Sequence, residues 1–275
     1  FGNSLVTDFS IKAIEGEELG KDNITDFLLI DFSSTDYVGH QFGVNSKEVQ
    51  DTYIRLDKEI EKLLNYFDKN IGKNEYTLFL TADHGATDVP GFLKEKKIPI
   101  NYFNSKKFNY HIEKSLIKLF GNKYLISSNS NQQIFLNHEL IKKLNISPKV
   151  VKQSIIDVIQ SFPGIDNVYS SEQIFSEIDD HFIKLIRNGF NKNLSGDIVY
   201  TMMPNWVYYR KGSTHGRRFN QHTHVPLILF GDGIKRGSIS RETDVIDIAP
   251  TIASVLGISS PNATTGKVIF EAIDD

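Results

Sequence analysis

The chain has no cysteine, which excludes disulfides, thiolate metal sites and a cysteine nucleophile, and leaves the cellular compartment open on redox grounds. Proline is scarce, at eight residues, and 19 glycines show no period, so collagen-like and low-complexity classes are excluded. No apolar run approaches the roughly 18 residues of a membrane helix, because charge, Gly or Pro interrupts each one. Charge of one sign is absent too: 31 Lys and Arg oppose 34 Asp and Glu, a net charge of -3. That balance provides no footprint for nucleic acid or an anionic membrane, and neither is expected as a partner. Also missing is an initiating methionine. The opening Phe1-Gly2-Asn3-Ser4 has neither the basic nor the apolar region of a leader, and an internal start is the expectation. What is there is globular: 275 residues, 40% of them hydrophobic, enough for one large or two modest domains.

Thr25-Asp26-Phe27-Leu28-Leu29-Ile30-Asp31-Phe32 reads as a strand buried on both faces, the type found in parallel sheets. From Ser46 the apolar positions Val49, Tyr53, Leu56, Ile60, Leu63 and Phe67 step by four and three, predicting a long helix that stops near Gly72. Tyr76 to Ala82 repeats the buried-strand pattern and runs into Asp83-His84-Gly85. Strand, helix, strand predicts a right-handed parallel crossover. The middle of the chain changes character, with Lys-rich helices over about 105–120 and 147–162 and short strands at Gln133–Leu136 and Ile198–Thr201. A third buried strand is expected at Val225–Gly231, and a last helix opens at Asp247-Ile248-Ala249-Pro250 and closes at Gly257. The expected fold class is α/β, a mostly parallel sheet flanked by helices. Residues 1–87 and 208–275 form the metal-binding core, and 88–207 an inserted α+β subdomain.

Three places combine acids with imidazoles near strand boundaries. Asp36-x-x-x-His40 puts both side chains on one side of a helical turn. Asp83 and His84 can converge in the turn that Gly85 permits. A third stretch, 213–224, carries His215, His222 and His224. In open α/β sheets ligands bind outside the carboxyl ends of strands, so the first two clusters should meet. Asp and His donors without Cys favour zinc or another borderline divalent ion, and five exceed what one tetrahedral ion needs, which points to a two-metal site. Each motif alone has a plainer reading: a surface pair or cap for Asp36 and His40, turn chemistry for Asp83-His84-Gly85, a strand edge for His222 and His224. Arg217 and Arg218 could contact an anionic substrate or lie solvated on the surface.

Ser34-Thr35-Asp36-Tyr37-Val38-Gly39-His40 and Ala82-Asp83-His84-Gly85-Ala86 resemble the alkaline phosphatase superfamily, most closely the phosphate-irrepressible (PafA-type) alkaline phosphatases. Ile24–Leu28, Asp51–Asp57 and Asp247–Thr251 extend that resemblance over nearly the whole chain. The resemblance implies a zinc-dependent phosphate monoester hydrolase with two zinc ions, or a phosphodiesterase, nucleotide pyrophosphatase or sulfatase of the same superfamily. Asp36, His40 and His215 match ligands of one zinc, and Asp83 and His84 ligands of the other; His224 is the alternative to His215. The remaining zinc-ligand Asp and the Thr or Ser nucleophile of such enzymes match nothing before Asp36, since Thr7, Asp8 and Ser10 lie in a segment that does not hold the site. The chain is therefore expected to be the C-terminal part of such a fold, inactive alone, with an apolar sheet edge that takes the N-terminal part or another chain. A non-catalytic metal-binding module is the rival reading. Periplasmic or secreted localisation is implied by the resemblance only.

Overall fold

The structure, a computed structural model, describes residues 1–176 and 180–274. Two compact units make up the chain: residues 1–92 with 211–275, and residues 93–210.

In the first unit the helix Gly2–Gly16 packs on the helix Lys47–Phe67. The two are tied by Ser4 Oγ donating to Glu59 Oε1 and by an ion pair between Lys62 and Asp8, each at 2.5 Å. Ser46 caps the long helix, its Oγ accepting from Val49 N at 3.1 Å. Val49 and Leu63 of the expected stripe are buried, whereas Tyr53 is exposed. Ser34–Phe42 forms a further helix packed on the long one.

The strand Thr77–Thr81 pairs antiparallel with Leu227–Gly231, from Thr77 opposite Gly231 to Thr81 opposite Leu227. The α/β class holds, but the expected parallel crossover does not form among the described residues. Residues 25–32 form no ladder among the described residues, and Phe27 and Leu29 are exposed. A strand is defined by its neighbour, and the apolar run has none here. The helix Ile248–Val255 follows a turn at Val245–Asp247, and Gly257 closes it in the left-handed region, at φ +65°.

The second unit is α+β. Four antiparallel strands stand in the order Ile126–Ser130, Gln133–Leu136, Ile198–Met202, Ile165–Ser170. The helices Ser105–Phe120 and Pro148–Gln160 supply Phe108, Leu116, Ile155 and Ile159 to a core with Leu125, Ile134 and Ile198 from the sheet side, each at most 1% exposed. Burying side chains of this size contributes about 1.5–3 kcal/mol each, so this core is ample for a subdomain. The parallel ladder among the described residues is short, Asn101–Tyr102 beside Trp206–Val207. No described helix is long and apolar enough to cross a membrane.

Candidate metal centre

Three segments of the first unit build the site, each fastened to another through the backbone. The helix Ser34–Phe42 carries Asp36 in its first turn and His40 in its last, and the spacing of four brings Asp36 Oδ2 to 3.3 Å from His40 Nε2. Its end is joined to residues 212–215 by three hydrogen bonds. Ser213 N donates to Gly39 O at 3.3 Å, Val44 N donates to Ser213 Oγ at 3.0 Å, and His40 Nδ1 meets Ser213 O at 2.9 Å. Gly212 makes that approach possible: it sits at φ +71°, and a Cβ there would collide with His40 O.

The turn after the strand Thr77–Thr81 carries Asp83 and His84. Thr87 N and Oγ1 both donate to Thr214 O, at 2.8 and 3.0 Å, and Gly85 N donates to His222 O at 2.8 Å. A Cβ on Gly85 would collide with Gln221 O, so only glycine lets the 83–87 turn lie this close to residues 221–222.

The fastened segments bring Asp36, His84 and His215 together, one donor atom from each within 4.8 Å of the others. His215 Nε2 is 3.5 Å from Asp36 Oδ1 and 3.1 Å from His40 Nε2. His84 Nε2 is 3.9 Å from Asp36 Oδ1 and 3.4 Å from Asp83 Oδ2. The His84 and His215 rings stack with centroids 3.5 Å apart. Asp83 lies beside His84, its side chain 87% exposed. His224 is exposed, its amide closing the short helix Asn220–Thr223 on Asn220 O. The structure thus brings His215, and not His224, to the cluster. Arg218 lies over the Phe219 ring at 5.5 Å.

The proton positions decide what this arrangement can hold. A carbonyl oxygen only accepts, so His40 Nδ1 opposite Ser213 O carries a hydrogen, which in the neutral ring leaves the lone pair on Nε2. The same reasoning applies to His84, whose Nδ1 lies 3.0 Å from Gly85 O. In the neutral rings both Nε2 lone pairs face carboxylate oxygens of Asp36, which also only accept when ionised. Burial first, then the neighbouring imidazole of His84, pushes the pKa of His215 down, so it too favours the neutral ring despite Asp36. A proton on His215 Nε2 could serve His40 or Asp36 but would leave His84 facing acceptors. Acceptors converging without protons between them repel unless a cation stands among them. The donor set fits a borderline divalent metal, with the histidine tautomers fixed by carbonyls behind them.

His222 is an element of this region to which the sequence assigned only an edge or nearby role. It is 2% exposed, neither ring nitrogen has a hydrogen-bond partner among the described residues, and burial pushes its pKa down to about 4. The fastening residues Ser213, Thr87 and Gly212 also lay outside the candidate set. Glycines beside the histidine motifs were the available signal.

The type I phosphodiesterase / nucleotide pyrophosphatase profile matches residues 4–225. The chain is 40% identical over 279 residues to a calcium-transporting ATPase of Myroides odoratus, covering 99% of this chain and 51% of that protein. It is 36% identical over 276 residues to the alkaline phosphatase PafA of Elizabethkingia meningoseptica, covering 99% of this chain and 50% of that protein. The crystal structure of wild type alkaline phosphatase PafA superposes with a TM-score of 0.94 at 35% identity, over 100% of this chain and 53% of that one. The chain therefore spans about half the length of the curated relatives it matches.

Proposed function

The chain belongs to the type I phosphodiesterase / nucleotide pyrophosphatase family, within the alkaline phosphatase superfamily, and from that premise we propose that it is the metal-binding part of a zinc-dependent phosphate monoester hydrolase. The observation that carries this reading is the convergence of His40, His84 and His215 on Asp36. Asp36, His40 and His215 would hold one zinc, and Asp83 with His84 would contribute to a second. Bound zinc would supply charge neutralisation at the phosphoryl group and its leaving oxygen, and would lower the pKa of water toward ~7.

The residues of this chain have positional roles in that chemistry. Ser213 O holds the His40 proton on Nδ1, and Gly85 O holds the His84 proton on its Nδ1, so that each Nε2 is the nitrogen left to face the metal. Of the hydroxyls near the site, Thr35 Oγ1 donates to Phe32 O, and Thr87 Oγ1 to Thr214 O. Farther off, Thr7 and Ser10 donate to Asn3 O and Val6 O within their helix. By the resemblance to alkaline phosphatases the nucleophile is assigned to a Thr or Ser outside this sequence, and the chain alone is expected to bind zinc with little turnover. Periplasmic or secreted placement belongs to the same reading.

A second reading, phosphodiester hydrolysis, is favoured by the family's own description. Calorimetric titration of the purified chain with zinc, and of His40→Ala and His215→Ala, tests the metal assignment. Tight binding that each variant weakens at least tenfold supports it; binding unaffected by both removes it. Turnover of p-nitrophenyl phosphate by this chain at enzyme-like rates would overturn the assignment of the nucleophile elsewhere. In the longer protein, faster hydrolysis of bis-p-nitrophenyl phosphate than of the monoester would select the diesterase reading.

A further inference from the structure

The second unit has a cavity of about 230 Å³, lined wholly by side chains of that unit and containing none of the candidate metal ligands. It lies between the helix Ser105–Phe120 and the outermost strand of the four, Ile126–Ser130, and the residues that link the two complete its wall. Its apolar lining is Ile112, 2% exposed within the core, and Ile126, which packs against that core. The polar lining is anchored from the same core. Tyr200, 4% exposed, donates its hydroxyl to Asn129 Oδ1 at 3.2 Å, and Asn129 Nδ2 donates to Asn109 Oδ1 at 2.8 Å. That relay engages the oxygen of Asn109, so its amide nitrogen is the end without a partner among the described residues. Ser127 has its hydroxyl committed to Phe135 O at 3.1 Å, whereas the Ser128 hydroxyl beside it makes no hydrogen bond among the described residues. Glu113 and Lys123 come no closer than 4.0 Å, longer than a hydrogen bond. Their charges offset each other while both keep their hydrogen-bonding capacity. Tyr124 is 64% exposed, with Lys123 Nζ 5.2 Å from its ring centre.

These features narrow the occupant. The volume falls below the roughly 300–1,000 Å³ of sites for drug-sized molecules, so a single small ring fits and a nucleotide does not. Phosphate or another anion would meet Glu113 beside the one cation, and a cationic ligand would meet Lys123 beside the one carboxylate. A purely apolar ring would cover Asn109, Glu113 and Ser128 without pairing them, which costs free energy for each. A neutral ring bearing several hydroxyls satisfies all of these groups. Its hydroxyls donate to Glu113 and accept from Asn109 and Lys123, while its C–H faces pack on the Tyr124 ring and Ile126. We propose that this cavity is a saccharide subsite that takes one pyranose ring, with Tyr124 as the packing platform and Asn109, Glu113 and Lys123 as the hydroxyl-reading groups.

The test titrates glucose, galactose, mannose and N-acetylglucosamine, one at a time, into the isotopically labelled 275-residue chain in the presence of a chelator, and follows its amide resonances. One small ring with few anchors should bind in the roughly millimolar range for at least one of the four, with shifts concentrated at residues 109–113 and 123–129. Tyr124→Ala should weaken that binding at least about tenfold and Tyr124→Phe less than about threefold, because the ring and not its hydroxyl supplies the platform. Glu113→Ala should weaken it about tenfold, and alanine suits this helix position. Both side chains are about half exposed or more, so the melting temperature should hold; if Tyr124→Ala melts lower, Tyr124→Phe and Glu113→Ala decide. The proposal is overturned if none of the four sugars shifts these resonances, or if Tyr124→Ala and Glu113→Ala both bind as tightly as the parent. It is also overturned if inorganic phosphate or glycine shifts the same resonances at lower concentration than any of the sugars. With the chelator present, no outcome depends on the metal centre.

Discussion

Replacing Gly85 by alanine tests whether the 83–87 turn is held at the metal centre by close backbone contact. Gly85 is not in the left-handed region, so alanine costs nothing in backbone conformation; the whole effect comes from its Cβ. That carbon would collide with Gln221 O and stand 3.1 Å from Gln221 C and 3.6 Å from His222 Cα. Backbone cannot rotate aside as a side chain can, so the turn must withdraw and lose the 2.8 Å hydrogen bond from Gly85 N to His222 O. The bond contributes about 1 kcal/mol, and overpacking costs about 1–3 kcal/mol, so a loss of about 2–4 kcal/mol is expected. Because His84 stands one residue away, its Nε2 withdraws from Asp36, and zinc affinity should fall roughly 10–100-fold, as when the support behind a metal ligand is removed. Urea unfolding in a chelator reads the first effect, and competition with a chromophoric chelator reads the second. Gly91→Ala is the control, since a Cβ there meets nothing within 4 Å. If Gly85→Ala binds zinc as tightly as the parent and unfolds at the same urea concentration, backbone contact does not hold this turn.

Four further outcomes are expected. His222 has a pKa of about 4 in the folded chain against an ordinary 6.5, so protons bind the unfolded chain first; metal-free stability should be full above about pH 6.5 and decline toward pH 4, and His222→Phe should flatten that slope in urea midpoints. Glu172 is opposed by burial, but Lys152, at 2.7 Å, holds it down at about 2; its contribution is present above about 4.5 and is lost as pH falls through 2, and Glu172→Gln should remove this acid dependence. Because Lys152 is nearly buried, Lys152→Met should be neutral within ~1 kcal/mol, whereas Glu172→Ala, which strands the charge, should destabilise more, as chemical denaturation of the two variants will show. Ser213→Ala leaves the Val44 amide without its acceptor and should cost about 1–2 kcal/mol with a several-fold loss in zinc affinity, read by the same two assays.

The second unit was the more legible of the two because its signals are local. The helix Ser105–Phe120 matches its expected range, with Asn104 accepting from Lys107 N at one end and Gly121 at φ +67° at the other. Each end is decided by one residue and its neighbours. The strands Gln133–Leu136 and Ile198–Met202 likewise show apolar runs between turn residues. Residues 25–32 show where this fails. Their composition records a need for burial on both faces, and the sequence reading supplied the partner from the order of elements. Pairing is a non-local property, and Thr77–Thr81 pairs instead with Leu227–Gly231 in the opposite direction, about 150 residues along the chain.

The site divides along the same line. Asp36 and His40 were legible together because a helix fixes the distance between positions four apart, whatever else the chain does. His215 was separable from His224 only through resemblance, since no local rule says which end of a twelve-residue stretch turns inward. The structural reason is Gly212 and Ser213, which bind the stretch to the end of the Asp36 helix, two residues from His215. The most consequential groups leave no trace in residue types at all. Ser213 O and Gly85 O set the protons of His40 and His84, and every residue has a carbonyl. A sequence can therefore name the nitrogens of this site, but which nitrogen keeps its lone pair depends on the backbone behind it. That choice determines whether the three rings and Asp36 form a surface hydrogen-bond cluster or a cation site.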